Sequence, residues 1–137
     1  MKKTMSEDKD LEEILQKKMK SMTGGSAELS NPITLTASTF DQMINGGKPV
    51  IVDFYTDWCA PCKMMSPIFE KLYGTYSNRM LFGRLNVDEN NAIATKYNVF
   101  SIPTFIIFSD GKPQDVLVGG VGEKGLEQFI TKNLPPS

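Results

Sequence analysis

Histidine is missing from this chain of 137 residues, and cysteine occurs only twice, as Cys59 and Cys62. Without histidine there is no imidazole to serve as a general base or a metal ligand near neutral pH. A structural zinc takes four Cys or His ligands, so a zinc site here would need a second chain to donate another pair, or carboxylates to complete the set. Long apolar runs are missing as well, and no stretch approaches the ~18 residues needed to cross a bilayer. No membrane contact is expected. A basic run is the last absence. With 15 Lys and Arg against 16 Asp and Glu the formal net charge is −1, which argues against a nucleic-acid partner.

What is there begins with a compositional break. Met1-Lys2-Lys3-Thr4 carries the charge of a secretory leader, but the strongly charged Ser6 to Glu13 stands where an apolar segment should follow, so no signal peptide is expected. The cytoplasm is the default compartment, where a Cys-x-x-Cys pair is more often catalytic than structural. Leu11, Ile14, Leu15, Met19 and Met22 recur at helical spacing, with acids early and lysines late, which suits the helix dipole. Thr23-Gly24-Gly25-Ser26 then reads as a flexible break. The expectation is an extension over residues 1–30, an amphipathic helix and a Gly/Ser linker, followed by one domain over 31–137. That helix either packs loosely on the domain or serves a partner or self-association, and the chain is expected to be a monomer.

From Ile33 strand and helix patterns alternate. The spacing predicts strands at Ile33–Thr36, Pro49–Thr56, Met80–Val87, Thr104–Phe108 and Val116–Gly119. Helices are predicted at Ser38–Ile44 with Ser38 as N-cap, at Ala60–Tyr76 interrupted and kinked by Pro67, at Asn90–Tyr97 and at Glu123–Asn133. The order is β-α-β-α-β-α-β-β-α. Strands separated by helices imply parallel pairing, and the turn Ser109-Asp110-Gly111-Lys112 makes the last two antiparallel. The fold class is therefore α/β, a mixed sheet of about five strands with helices on both faces. Reactive groups in such sheets gather at the carboxyl ends of central strands, and Cys59 lies just past one.

Two thiols three residues apart on a helix have Cα atoms roughly 5 Å apart, within the ~4.4–6.8 Å that a disulfide requires. Such a bond closes a very short loop and removes little unfolded-state entropy, so a structural staple explains the spacing poorly. Reversible disulfide chemistry explains it better.

The motifs then resemble the thioredoxin family. Val52-Asp53-Phe54 precedes Trp58-Cys59-Ala60-Pro61-Cys62-Lys63, Pro67 lies in the following helix, Ile102-Pro103-Thr104 looks like the family's cis-proline loop, and Gly119 matches a glycine near the site. The resemblance runs from about Ile33 to Leu134. It implies a thioredoxin fold, a protein-disulfide reductase that carries electrons through thiol–disulfide exchange, protein disulfides as substrates, an upstream reductase of the thioredoxin-reductase type and no cofactor. Ala60 stands where the family most often has glycine, Tyr55 where a tryptophan is common and Arg84 where many members carry a lysine, so Tyr55 and Arg84 are candidates for tuning Asp53.

Within that frame Cys59, at a helix N-terminus that favours an anion, is the expected attacking thiol, and Cys62, one turn further in and more buried, the resolving thiol. Asp53, an acid inside an apolar strand, is the candidate base for Cys62 and should have a raised pKa unless it is paired. Pro61 stiffens the ring between the thiols. Trp58, Ala60, Pro61, Ile102, Pro103, Val118 and Gly119 are expected to form a flat apolar rim for extended substrate segments. Lys63, Lys112 and Asp57 read as solvated charges, and the polar run Asp88 to Asn91 as the cap of a short helix. The competing functions are a binding module on the same fold and a disulfide-forming oxidase or isomerase. The Ala60-Pro61 pair offers no donor or charge to stabilise the Cys59 thiolate further, which argues for reduction.

Overall fold

A computed structural model describes residues 31–135. The expected extension over residues 1–30 lies outside the described residues. The described chain forms β1 (Ile33–Thr34), α1 (Ala37–Ile44), β2 (Val50–Tyr55), α2 (Ala60–Tyr76), β3 (Leu81–Asn86), α3 (Asn91–Lys96), β4 (Thr104–Ser109), β5 (Lys112–Val118) and α4 (Gly122–Lys132). The strands make one five-stranded sheet in the order β1-β3-β2-β4-β5. This is the expected element order and the expected mixed sheet.

Strand alternation sorts the core into two layers. Val50, Val52 and Phe54 of β2 pack with Phe40, Met43 and Ile44 of α1 and Ala94 of α3. Ile51 lies on the other face with Met65, Phe69 and Leu72 of α2 and Leu126, Phe129 and Ile130 of α4. Asp53 and Tyr55 follow Ile51 at intervals of two, so they share the α2 face. The parallel register sets Asp53 beside Arg84 of β3. The same alternation thus buries the sheet's apolar side chains and aims one acid at the start of α2.

The expectation of parallel pairing between helix-separated strands fails at β4. It runs antiparallel to β2, with Phe54 opposite Thr104. The connection through α3 does not carry the chain back along the sheet, so β4 starts near the end where β3 finishes. Its first residues therefore meet the carboxyl end of β2, where Cys59 follows.

Two boundaries and the course of one helix also differ. Thr36, in extended conformation, is the N-cap of α1 in place of Ser38, and its N–H donates to Thr39 Oγ1 at 3.0 Å. The last hairpin turns on Asp110 and Gly111 alone, both at positive φ (52° and 81°), so β5 begins at Lys112 and not at Val116. Lys112, Pro113, Gln114 and Asp115 carry no apolar alternation because β5 is an edge strand. α2 continues through Pro67 as one helix, with Met65, Phe69 and Leu72 buried on either side of it. Burial of that face offsets the one backbone hydrogen bond the proline removes.

Candidate active site

Cys59 is the N-cap of α2, in extended conformation, and Ala60 and Pro61 occupy its first helical positions. Proline fits there because those N–H groups have no helical acceptor in any case. The Cys59 and Cys62 Cα atoms are 5.2 Å apart and the sulfurs are joined as a disulfide. Cys62 N–H donates to Cys59 Sγ at 3.2 Å, so a helix-end donor already addresses the sulfur on which a thiolate would form. The expected contrast in burial is small, with Cys59 5% and Cys62 2% exposed.

Asp53 is fully enclosed. Arg84 Nε stands 3.5 Å from its Oδ2, a charge contact that is too loose for a hydrogen bond, and neither carboxylate oxygen is hydrogen-bonded among the described residues. Burial pushes the carboxyl from 3.8 up to about 6, and the nearby guanidinium pulls against that rise. The Arg84 guanidinium lies over the Tyr55 ring, 4.3 Å from its centroid. Tyr55 thus holds the cation that faces Asp53. Beside them a cleft of about 150 Å³ is lined by Tyr55, Thr56, Asp57, Cys62, Lys63, Ser66 and Arg84.

The loop before β4 supplies the facing wall. The Ile102–Pro103 peptide bond is cis, and the Ile102 carbonyl oxygen lies 3.9 Å from Cys59 Sγ. Gly119, at φ 106°, donates its N–H to the Pro103 carbonyl at 2.8 Å. A Cβ on Gly120 would come within 2.9 Å of Met64 Cε, so the chain after β5 runs close against α2. Trp58, Ala60, Pro61 and Val118 are exposed and Ile102 and Gly119 half-exposed, but Pro103 is buried. Pro103 therefore departs from the expected rim: it shapes the backbone there, and its ring is inside.

Three features escaped the sequence reading. Asp88, expected to cap α3, instead accepts a hydrogen bond from Trp58 Nε1 at 2.8 Å. Asn86, only 8% exposed, accepts from Asp88 N–H at 2.9 Å and donates to Asp57 Oδ2 at 3.4 Å, so Asp57 is tied to this network and is not a free charge. No local pattern marked that role. Phe100, the third, is 79% exposed, and its apolar character outside any helical or strand period was the available signal. No cluster of three or more Cys, Asp or Glu able to hold a metal occurs among the described residues.

Comparison with known proteins agrees with this geometry. The thioredoxin family model matches residues 31–132. A thioredoxin of Staphylococcus epidermidis is 43% identical over 102 residues, which cover 74% of this chain and 97% of that protein. One of Alicyclobacillus acidocaldarius is 41% identical over 95 residues, 69% of this chain and 90% of that one. Among solved structures, Plasmodium falciparum thioredoxin superposes with a TM-score of 0.70 at 36% identity, covering 74% of this chain and 98% of its own. With the family model matched over residues 31–132 and thioredoxins more than 40% identical over almost their whole length, the chain belongs to the thioredoxin family.

Proposed function

We propose that Cys59 is the attacking thiol, Cys62 the resolving thiol and Asp53 the proton acceptor of a protein-disulfide reductase. That the chain is a thiol–disulfide oxidoreductase acting on protein disulfides follows from the family and from the bonded Cys59–Cys62 pair. In the dithiol form, the Cys59 thiolate attacks one sulfur of a substrate disulfide, the substrate S–S bond breaks, and one substrate thiolate leaves. Cys62 then loses its proton and attacks Cys59 Sγ. The mixed disulfide breaks, the second substrate thiolate leaves and the Cys59–Cys62 bond forms, so two electrons pass from the dithiol to the substrate.

The buried carboxyl of Asp53 supports its part in this. With a pKa of about 6 it is mostly ionised at pH 7 yet close enough to neutrality to take a proton efficiently. The adjoining cleft is lined by Cys62 and by Arg84, the residue that faces Asp53. Trp58, Ala60, Pro61, Ile102, Val118 and Gly119 form the docking face, with the buried Pro103 presenting the Ile102 backbone. Arg84, steadied by Tyr55, limits how far the Asp53 pKa rises. Residues 31–137 carry the activity and 1–30 are an appendage, which the family match beginning at residue 31 supports. A thioredoxin-reductase-type protein regenerates the dithiol, and the chain works in the cytoplasm as a monomer. No helix among the described residues is long and apolar enough to span a membrane.

The observation that carries the assignment of roles is the Cys62 N–H directed at Cys59 Sγ. The test is a trapping experiment. Cys62→Ser should hold substrates on Cys59 as mixed disulfides, while Cys59→Ser should trap none and reduce insulin no faster than dithiothreitol alone. Trapping by Cys59→Ser and not by Cys62→Ser would reverse the two roles. Deleting residues 1–30 should leave insulin reduction nearly intact, and a large loss would overturn the appendage reading.

A further inference from the structure

Phe100 is the most exposed large apolar side chain among the described residues, at 79% against 71% for Trp58 and 54% for Val118. Its immediate neighbour Val99 is 7% exposed and belongs to the core, so the chain turns one apolar residue in and the next one out. Leaving a phenylalanine in water contributes nothing to folding. Its mount is not slack. Asn98 N–H donates to Thr95 O at 3.0 Å, Val99 N–H to Ala94 O at 2.9 Å, and Thr104 Oγ1 to Ser101 O, so the loop is tied at both ends. A ring held out on a fixed loop loses little conformational freedom when something covers it.

Its position says what would cover it. Phe100 is two residues before Ile102, whose carbonyl oxygen lies 3.9 Å from Cys59 Sγ, and two residues of extended chain reach about 7 Å at most. A substrate cysteine bonded to Cys59 has its flanking residues ~3.3 Å apart per residue along an extended segment, which brings a neighbouring side chain over this loop. The loop Asn98-Val99-Phe100-Ser101-Ile102-Pro103 carries no charge, so it can favour a partner only through apolar contact and backbone polar groups.

We infer that Phe100 is a specificity-determining residue for the reduction reaction, selecting extended substrate segments with an apolar side chain beside the reacting cysteine. This rests on the docking face proposed above. It adds to that face a contact from outside the dithiol loop, and a preference among substrates that the dithiol alone does not confer.

The test compares two disulfide-linked peptides that differ only in the residues flanking the cysteine, leucine in one and glycine in the other. Their kcat/KM ratio is read on the full chain and on its variants, so that any loss of active protein cancels. The unaltered chain should prefer the leucine peptide by about tenfold, equivalent to about 1.4 kcal/mol, mainly through a lower KM. Phe100→Ser should bring the ratio close to one, and Phe100→Leu should keep most of it. An unaltered ratio in Phe100→Ser, or no preference in the unaltered chain, overturns the assignment while leaving the reductase reading standing. No turnover of either peptide by the unaltered chain overturns both.

Discussion

Asp53 and Asp115 stand in the same sheet, and their surroundings are opposed. Asp115, on the edge strand β5, accepts from Asn133 Nδ2 at 2.9 Å and from Val116 N–H at 2.9 Å, with Lys132 Nζ 3.4 Å away. Those bonds, that of Asn133 foremost, hold its carboxyl below the ordinary range. Asp53, on a central strand, has no hydrogen bond among the described residues and the Arg84 guanidinium at 3.5 Å, and burial holds its carboxyl up near 6. One acid is placed where the fold gains from its charge. The other is placed where the fold loses, on the central strand that leads to the two thiols, which fits the proton-acceptor role proposed for it.

Replacing Asp53 should give the largest effect. Below pH 3.8 its carboxyl is neutral in the folded and unfolded chains alike and leaves stability unchanged. As pH rises from 3.8 to about 6 the unfolded chain ionises while the buried carboxyl keeps its proton, so stability falls across that window and stays lower above it. The gap between 3.8 and about 6 corresponds to roughly 3 kcal/mol. Asp53→Asn should therefore be more stable than the unaltered chain by about that much in urea at pH 8, and equal to it near pH 3.5. Its turnover at pH 7 should drop about 10- to 100-fold. A variant that is no more stable at pH 8 would end the contrast between the two acids.

Arg84→Gln comes next. Without the guanidinium the Asp53 pKa should rise further, so the pH step in kcat/KM that Asp53 governs should move to higher pH, with a stability loss above that step of roughly 1 kcal/mol. An unmoved pH profile would mean that Arg84 serves Tyr55 and not Asp53. The smallest effect is expected from Asp115→Asn. A lowered pKa contributes stability that is present above the unfolded value and fades as pH falls, so this variant should lose less than about 1 kcal/mol at pH 7 and nothing near pH 2. Its insulin reduction should match that of the unaltered chain. A gain in stability at pH 7 would place Asp115 in the same class as Asp53.

How much of this was legible in the sequence depended on how locally each feature was encoded. The dithiol at a helix start and the acid in an apolar strand could be read because each lies in a short contiguous motif, whereas the cis state of Pro103 came only from the family resemblance. The reversal of β4 was not read, since the direction in which a strand enters the sheet is a relation between distant segments. The bond from Trp58 to Asp88 joins residues 30 apart, and nothing near either one announces it. Phe100 was passed over because it belongs to no periodic pattern, and an exposed aromatic in a loop is visible only once the neighbouring Val99 is seen to be buried.

The contact between Cys59 and the Ile102 carbonyl joins positions 43 residues apart. Synthesis runs from the amino end, at about 5–20 residues per second, so both thiols emerge seconds before the loop that will face them. For that interval the unfinished chain carries both thiols without the loop that will face them. The wall opposite Cys59 is therefore set late, when β4 enters the sheet, and a chain stalled before residue 102 would hold its thiols on one side only.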